Sequence, residues 1–408
     1  MARITLEASR KMREVMMSRG HYEGEKSRLL AKFYIFSTVI YIFDTILDIF
    51  NLESGQFEEK IFRFKNINML LCGLAYPLVD TDTYRLLYSI EQQGRFDSSE
   101  KSSRAMKNLQ EKLDKELDQI NKLTYFVIVF IMGTLSIAPL MAAILKIYPK
   151  LLTGSGESID VTKLSLPISL WYPQEYANIY TYILLYTLQI FYIYLFSGYM
   201  YCVLTSGFMA LKITIYNLKY LCLSVEEGRN RLEEMSRENS SFEDQCYLEN
   251  KLGLEEYIVN IIKLHHMICR STDNLNRDLK KMYTVWNNTI CFQICVCLYS
   301  SVKMEDLVLK VEHILLVVPL AYILLLYCSN AQELLNEGEN FRTTVWGSFF
   351  VDKPKWYKSS MLIMMIRSTK ELEIKPFGFY VLNLKTFSMV MKAAYSYFNM
   401  LNSLRKRI

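Results

Sequence analysis

The sequence predicts an all-α membrane protein with seven transmembrane helices and long helical extensions outside the membrane. Hydrophobic residues make up 51% of the 408-residue chain and aromatic residues 13%. They gather in blocks long enough to cross about 30 Å of hydrocarbon as helices. Two charged stretches, which begin near Arg104 and Tyr247, are rich in helix-forming residues and run directly into apolar blocks. This predicts helices that continue well beyond the bilayer.

Seven segments are expected to span the membrane. In order they are Phe33–Phe50, Ile67–Ile90, Leu123–Ile147, Ile179–Ile213, Trp286–Met304, Leu309–Cys328 and Thr386–Leu404. The second is the weakest prediction, because Asp80, Asp82 and Arg85 interrupt its apolar run. The fourth is longer than a bilayer requires, so its C-terminal end is expected to project from the membrane. The charged first thirty residues lack the apolar core of a secretory signal, so the first span is expected to direct insertion.

The distribution of basic residues orients the chain. Residues 1–32 contain eight Lys and Arg, residues 51–66 contain three, and residues 91–122 contain seven. The positive-inside rule therefore places the N-terminus in the cytoplasm, and seven spans place the C-terminus outside. The basic run at the C-terminus opposes this orientation, but the first helices usually dominate it. Cytoplasmic loops account for the net charge of +5, so no nucleic-acid partner is expected.

This topology divides the chain into six regions. They are a cytoplasmic tail (1–32), the first four spans (33–213), a cytoplasmic helical extension (214–285), the fifth and sixth spans (286–328), a cytoplasmic anchor region (329–385), and the last helix with a short external tail (386–408). The anchor region contains KWYKSSMLIMMIRSTKEL, which is amphipathic with basic ends. This piece could lie on the membrane surface or pack inside a cytoplasmic assembly.

The residue types that carry enzymatic or metal chemistry are not arranged for it. No Ser/His/Asp arrangement, HExxH motif or P-loop is present, so neither an enzymatic activity nor a cofactor is expected. Cys291, Cys295 and Cys297 lie in an apolar span without a His partner, which favours packing over metal binding. The expected external loops contain no Cys, so an external disulfide framework is not expected. Asp44 and Asp48 lie one turn apart near the end of the first span, where exposure at the surface is favoured over an ion path.

The last span carries a polar stripe. Lys392, Ser396, Asn399 and Ser403 recur at spacings of four, three and four, so they share one helical face. Most of the apolar side chains lie on the other side of the helix. They are Val390, Ala394, Tyr397, Phe398 and Leu401. Such a stripe predicts either a helix that lines a pore or a polar contact between helices buried in the bundle.

Three motifs in the C-terminal third resemble the signature of the insect odorant receptors. They are YCSNAQELLNEGENFRTTVWGSFF, KSSMLIMMIRSTKEL and LNLKTFSMVMKAAYSYFNML. The matching positions are Cys328, Glu333, Thr344, Trp346, Thr386, Phe387, Tyr395, Ser396, Tyr397 and Phe398. Trp171–Pro173, before the fourth span, also resembles the family. The resemblance covers the whole seven-span layout in length and order, but its specific motifs are concentrated after about Cys328.

This resemblance implies a subunit of a tetrameric, ligand-gated, non-selective cation channel whose last helix lines a central pore. It implies that a tuning subunit assembles with co-receptor subunits in the plasma membrane of a sensory-neuron dendrite. The segment Tyr216–Met282 is short, as in a tuning subunit and unlike the longer loop of the co-receptor. The other implied partners are a small volatile apolar ligand, permeating cations and membrane lipid.

The same resemblance implies where the ligand and the gate lie. In the family, ligands bind among the second to sixth spans in the outer half of the bilayer. With the derived topology the pocket residues are Met69, Cys72, Gly73, Tyr76, Met132, Leu135, Ser136, Tyr180, Ile183, Tyr186, Thr187 and Ile190. Matching the Tyr397–Phe398 motif to the family's places Met400, Ser403 and Leu404 at the gate. The polar stripe independently selects Asn399 and Ser403.

Three other functions are open on the sequence. A gustatory receptor channel would share the fold, but the Thr-Tyr…Gln motif with which that family ends is absent from the C-terminal end of this sequence. A G-protein-coupled receptor is disfavoured by the inverted topology and the missing DRY and NPxxY motifs. A secondary transporter is disfavoured because no inverted repeat or pair of broken helices is visible.

Overall fold

The computed structural model describes a helical bundle. It covers residues 25–52, 60–74, 104–153, 161, 164–170, 177–238, 244–304, 306–348, 350–376 and 380–405. The helices are α1 (Glu25–Asn51), α2 (60–74), α3 (Arg104–Thr153), α4 (Ile179–Glu238), α5 (Asp244–Lys303), α6 (Leu307–Trp346), α7 (Lys355–Ser368) and α8 (Leu384–Arg405). A 3-10 turn at Phe350–Asp352 connects α6 to α7. No strand occurs in these described ranges, and the predicted all-α class is confirmed.

The predicted spans lie in these helices wherever the structure describes them. Of the second span, only 67–74 is described, and it is helical. Four described helices are long and apolar enough to cross a membrane. Their candidate spans are Leu29–Asn51, Arg104–Tyr148, Ile179–Met235 and Leu307–Trp346. The chain is therefore a helical membrane protein. The segments Trp286–Met304 and Thr386–Leu404 lie on α5 and α8, which do not meet the same criterion.

Helix α4 is the centre of the bundle. It packs against α1, α3, α5 and α6. Every residue from 201 to 211 is buried, because this stretch is apolar or small and uncharged on all sides. Both α4 and α5 run far beyond the length of a span, as the helix-forming residues of 214–285 predict.

Helix α7 is the amphipathic piece for which the sequence left two locations open. Its Tyr357, Met361 and Met364 are fully buried. They belong to the main hydrophobic core, and α7 contacts α5 and α6. The helix therefore packs inside the bundle with this face, while Ile363 and Ile366 are exposed on its other side.

A charged cluster ties α3, α4 and α6 together at the end of the fourth predicted span and beyond the others. The two carboxylate oxygens of Glu333 each lie 2.7 Å from a lysine Nζ, one from Lys212 and the other from Lys219. Lys212 also pairs with Glu116 at 3.3 Å, and the Tyr216 hydroxyl donates to Glu116 at 2.7 Å. Burial raises the pKa of Glu333, but the two lysines outweigh burial and hold it below its ordinary value.

One polar residue is placed differently from the expectation. We expected Asp48 at the surface, but the residue is buried, and its Oδ2 lies 2.7 Å from Nε of Arg63. An ion pair with good geometry offsets the cost of removing these two charges from water. The eight cysteines whose side chains are described are free thiols. All are buried except Cys291, which is partly exposed.

Candidate ligand pocket and pore helix

An apolar cavity of about 70 Å³ lies where α2, α3, α4, α5 and α6 meet. Its lining side chains come from one stripe on each helix. They are Met69, Cys72, Ile128, Ile131, Met132, Leu135, Phe196, Met200, Leu204, Trp286, Thr289, Ile290, Gln293, Leu316, Leu320 and Ile323. Spacings of three and four along each helix put these residues on a common face. Small-molecule sites commonly have such apolar walls with few polar groups.

The polar content of the cavity wall is small and specific. Gln293 is the one side-chain amide among the lining residues that the structure describes. Its Oε1 is buried and has no hydrogen-bond partner there. Thr289 is held by its backbone, because Nδ2 of Asn68 donates to its carbonyl oxygen at 3.3 Å. The methionine side chains of the wall are unbranched and can rearrange around a ligand.

Four predicted pocket residues line this cavity. They are Met69, Cys72, Met132 and Leu135. Gly73 lies beside it and marks a close approach of α2 to α1 and α4. The Tyr34 hydroxyl donates to the Gly73 carbonyl at 3.1 Å, and a Cβ at Gly73 would lie 2.7 Å from that hydroxyl and 3.1 Å from Phe196. Tyr76 lies outside the described residues.

The predicted residues near the start of α4 lie away from the cavity. Tyr180, Ile183 and Thr187 are exposed, and Ile190 is half-buried. The Tyr186 hydroxyl donates to the Ser136 carbonyl oxygen, and Tyr186 packs on a separate small cluster. That cluster consists of Ala143, Val161, Leu164 and Tyr182. On α4, the cavity is lined instead by Phe196, Met200 and Leu204, which the sequence analysis did not select.

A buried charged cluster lies about one helical turn from the cavity. Lys65 Nζ is 3.2 Å from His313 Nε2 and 4.3 Å above the ring of Phe62. Lys65, His313 and the adjacent Glu312 are each at most 4% exposed. Met69 and Leu316 of the cavity wall follow Lys65 and Glu312 by four residues on α2 and α6. The sequence analysis did not find this cluster.

On α8, the polar stripe faces away from the rest of the chain. Lys392, Ser396, Asn399 and Ser403 are all exposed. Ala394 is fully buried on the opposite face. The stripe is therefore not a polar contact inside this chain's own bundle. Met400 is exposed beside it, whereas Leu404 has no described side chain.

The buried face of α8 connects it to α5. Phe398 and Leu401 pack on Val296 and Tyr299 of α5 and on Ile61 of α2. Farther along, a groove of about 610 Å³ separates the two helices. Its wall includes Cys291, Cys295, Met389, Ala393, Tyr397 and Met400. Tyr397 is 53% exposed, so it lies at the rim and not on the buried face where the sequence pattern placed it.

Comparison with known proteins places this chain among odorant receptors. Residues 80–395 match the family model described as 7tm Odorant receptor. Odorant receptor 19a and putative odorant receptor 19b of Drosophila melanogaster are each 24% identical over 154 residues, which is 38% of this chain and 40% of theirs. Odorant receptor 10 of Aedes albopictus is 22% identical over 180 residues, or 43% of this chain and 46% of its own. The matched stretches thus span less than half the length of these curated relatives.

A solved structure matches over nearly the whole chain. The insect olfactory receptor OR5 from Machilis hrabei, solved in complex with eugenol, superposes with a TM-score of 0.70. The match covers 97% of both chains at 13% sequence identity. A second structure of the same receptor gives a TM-score of 0.70 over 96% of each chain, at 12% sequence identity. At 13% sequence identity, this similarity establishes the fold alone.

Proposed function

The chain belongs to the 7tm odorant receptor family, and on this premise we propose that it is a tuning subunit of an odorant-gated, non-selective cation channel. This family consists of receptors and not of enzymes. In the proposal, the chain forms a heterotetramer with co-receptor subunits in the plasma membrane, with its N-terminus in the cytoplasm. An epitope tag after Ile408 should then be detected on intact cells.

The observation that carries the proposal is the apolar cavity among α2 to α6, together with its connection to α8. The cavity is smaller than the ~300–1,000 Å³ of drug-sized sites, which suits a small volatile. Its walls are apolar, so affinity comes mainly from burial, at about 0.8 kcal/mol per methylene group. Met132 and Met200 can move aside to enlarge the space when the ligand enters.

Helix α5 provides the route from the cavity to the pore helix. Ile290 and Gln293 line the cavity, and Val296, three residues later, packs against α8. A ligand that displaces the Gln293 side of α5 therefore shifts the surface on which Phe398 and Leu401 rest. Packed helices respond to such a displacement by moving as units, because their interfaces are close-packed.

The exposed side of α8 is suited to line the ion path. Met400 and Leu404 are one turn apart, and their rings of side chains in a tetramer would form a constriction that excludes water when closed. Asn399 and Ser403 would supply a neutral polar lining, consistent with weak selection among cations. Lys392, nearer the cytoplasmic end of the helix, would point away from the path or pair with an acid.

Two residues on α4 test the pocket. We would co-express the chain with a co-receptor, record currents across a panel of volatiles, and compare Met200→Trp with Ile183→Trp. Met200 lines the cavity, whereas Ile183 is 56% exposed on the same helix. Filling the cavity should weaken sensitivity by at least about tenfold, which corresponds to roughly 1.4 kcal/mol. A loss with Ile183→Trp alone would place the ligand on the other stripe of α4.

A further inference from the structure

We propose that the ligand carries a hydroxyl group that donates a hydrogen bond to the side-chain oxygen of Gln293, so that this receptor is tuned to small apolar alcohols. The proposal rests on the proposed function, because it names the class of ligand for the same cavity. It goes beyond the proposed function because it identifies Gln293 as the side chain that selects the ligand's functional group.

The amide of Gln293 is unusual in its surroundings. The residue is 8% exposed, and its Oε1 is buried without a hydrogen-bond partner in the described part of the chain. Nearly all of its neighbours in the cavity wall are aliphatic, aromatic or sulfur-containing side chains, such as Ile290, Met132 and Phe196. A buried amide oxygen without a donor has lost its hydrogen bond to water without replacement. A bound molecule that supplies a donor would recover it.

Two other amides differ from Gln293 in place or in partners. Nδ2 of Asn287 on α5 donates to the Tyr380 hydroxyl at 2.9 Å. Oδ1 of Asn287 is also buried without a partner in the described residues, but this residue lines the α8 groove and not the apolar cavity. Gln189 on α4, also buried, has both ends occupied: its Oε1 accepts from the Ile168 amide at 2.9 Å, and its Nε2 donates to the Ile168 carbonyl oxygen at 2.8 Å. Gln293 thus combines burial, an unpartnered oxygen and a place in the cavity wall.

The chemistry of the oxygen selects the ligand's functional group. A carbonyl oxygen of an amide only accepts hydrogen bonds, so its partner must donate. Alcohols donate and remain neutral, whereas amines and carboxylic acids would bring a charge into an apolar site at high cost. Ketones, esters and ethers have no donor. They could accept only from donors in the wall, namely the Gln293 nitrogen, the Thr289 hydroxyl or the Trp286 indole N–H. The test below distinguishes such ligands from alcohols.

The experiment compares ligands that share a carbon skeleton and differ in one group. Cyclohexanol, cyclohexyl methyl ether, cyclohexanone and cyclohexane form one set, and benzyl alcohol, benzyl methyl ether, benzaldehyde and toluene form another. Each is added at millimolar concentration to the purified, detergent-solubilised protein, and the shift in melting temperature measures binding without requiring a current. The variants are Gln293→Leu and, as a matched control outside the cavity, Gln332→Leu, whose side chain bonds to Asn336 instead.

In the wild type and in Gln332→Leu, we expect the alcohol of at least one set to bind about tenfold more tightly than its ether and ketone or aldehyde partners, as for one hydrogen bond to a buried acceptor. In Gln293→Leu the alcohol should lose that advantage while the hydrocarbon binds at least as well. The proposal is overturned if neither alcohol stabilises the wild type, if the carbonyl compounds bind as tightly as the alcohols, or if the preference survives in Gln293→Leu. A uniform loss for all ligands would also overturn it, since that indicates a structural role.

Currents recorded with the co-receptor separate this proposal from the function on which it rests. Selective binding of an alcohol without any evoked current would refute the channel function and leave the assignment of Gln293 intact. Currents evoked equally by the alcohol and its ether would support the channel function and refute the assignment of Gln293.

Discussion

Lys65 of α2 and His313 of α6 are joined inside the bundle, with the Lys65 Nζ 3.2 Å from the His313 Nε2. The other ring nitrogen, Nδ1, lies 2.6 Å from the carbonyl oxygen of Leu309, so it carries the proton and donates there. Nε2 is then the acceptor for the lysine. Lys65 is 3% exposed and His313 is fully buried. This contact fixes α2 against α6 close to one end of the cavity.

Removing the His313 ring while keeping Lys65 should destabilise the fold. His313→Leu leaves the Lys65 ammonium buried without its hydrogen bond, which we expect to destabilise the fold by roughly 1.5–3 kcal/mol. The double variant Lys65→Met/His313→Leu removes the lysine charge as well and should recover part of that loss. Recovery is incomplete because the buried Glu312 loses its interaction with the Lys65 charge. Thermal denaturation of the detergent-solubilised protein measures both. If the double variant is no more stable than His313→Leu, the contact does not hold these helices together.

Glu333 should contribute far more to the stability of the fold than Glu339 on the same helix. Glu333 bridges two lysines of α4, and its removal as Glu333→Gln should cost about 1–3 kcal/mol of unfolding free energy. The side chain of Glu339 is 72% exposed and pairs only with Arg342 at 3.4 Å. Glu339→Gln should therefore change stability by less than about 0.5 kcal/mol. Equal melting temperatures for the two variants would contradict this assignment.

His265 should make the stability of the fold fall in mild acid. Burial, with added repulsion from Arg367 and His266, lowers the pKa of His265 from 6.5 to about 4. Between those values the unfolded chain binds a proton that the folded chain refuses, so the free energy of unfolding decreases as the pH falls from 6.5 to 4. His265→Phe, which preserves the ring contact with Phe341, should remove roughly 2 kcal/mol of this decrease.

Melting curves across that pH range test the assignment to His265. His266→Gln, at the exposed neighbour, should leave most of the slope in place. Glu333 acts in a lower window, because a carboxyl whose pKa is lowered contributes stability that is lost only as the pH falls below about 4.5. A slope unchanged by His265→Phe would show that other groups cause it.

Cysteine substitution on α8 should distinguish its two faces. Cysteines at Met400, Ser403 and Leu404 should react with a charged thiol reagent applied from outside, and the rate should depend on the odorant. Ala394→Cys, at a fully buried position, should stay unreactive, as should Leu401→Cys, which packs against α5. The unsubstituted chain is the control for native thiols. Reaction at Leu401 with protection at Met400 and Ser403 would put the pore on the opposite face.

Structural features could be predicted from the sequence where neighbouring residues along the chain encode them. The helices were predictable because runs of apolar residues are long and contiguous, and the cavity side of α3 was partly found through Met132 and Leu135. The face of α4 that lines the cavity was not predicted. That helix is apolar on nearly all sides, so its residue pattern does not indicate which face is turned toward the cavity. The Lys65–His313 contact joins residues 248 apart, and no local pattern records such a pairing.

Some site features lie between these extremes. The polar stripe of α8 was recognisable in the sequence, since four polar residues in an apolar helix repeat at helical spacing. The sequence left open whether the stripe is exposed or forms a polar contact inside the bundle. The unpartnered oxygen of Gln293 was not, because a lone Gln in an apolar span is equally compatible with a partner on the next helix. Only the packing of the neighbouring helices distinguishes the two.

The most direct test of the central claim is a current recorded from outside-out patches of cells that express this chain with a co-receptor, in solutions without GTP. If the chain is part of an odorant-gated cation channel, a brief pulse of an active volatile opens a current that reverses near zero with sodium and potassium on opposite sides. Substitution of Ser403 by Lys should then shift that reversal potential. A response that appears only when GTP is supplied, or a current that is unaltered by every substitution on α8, would contradict the account.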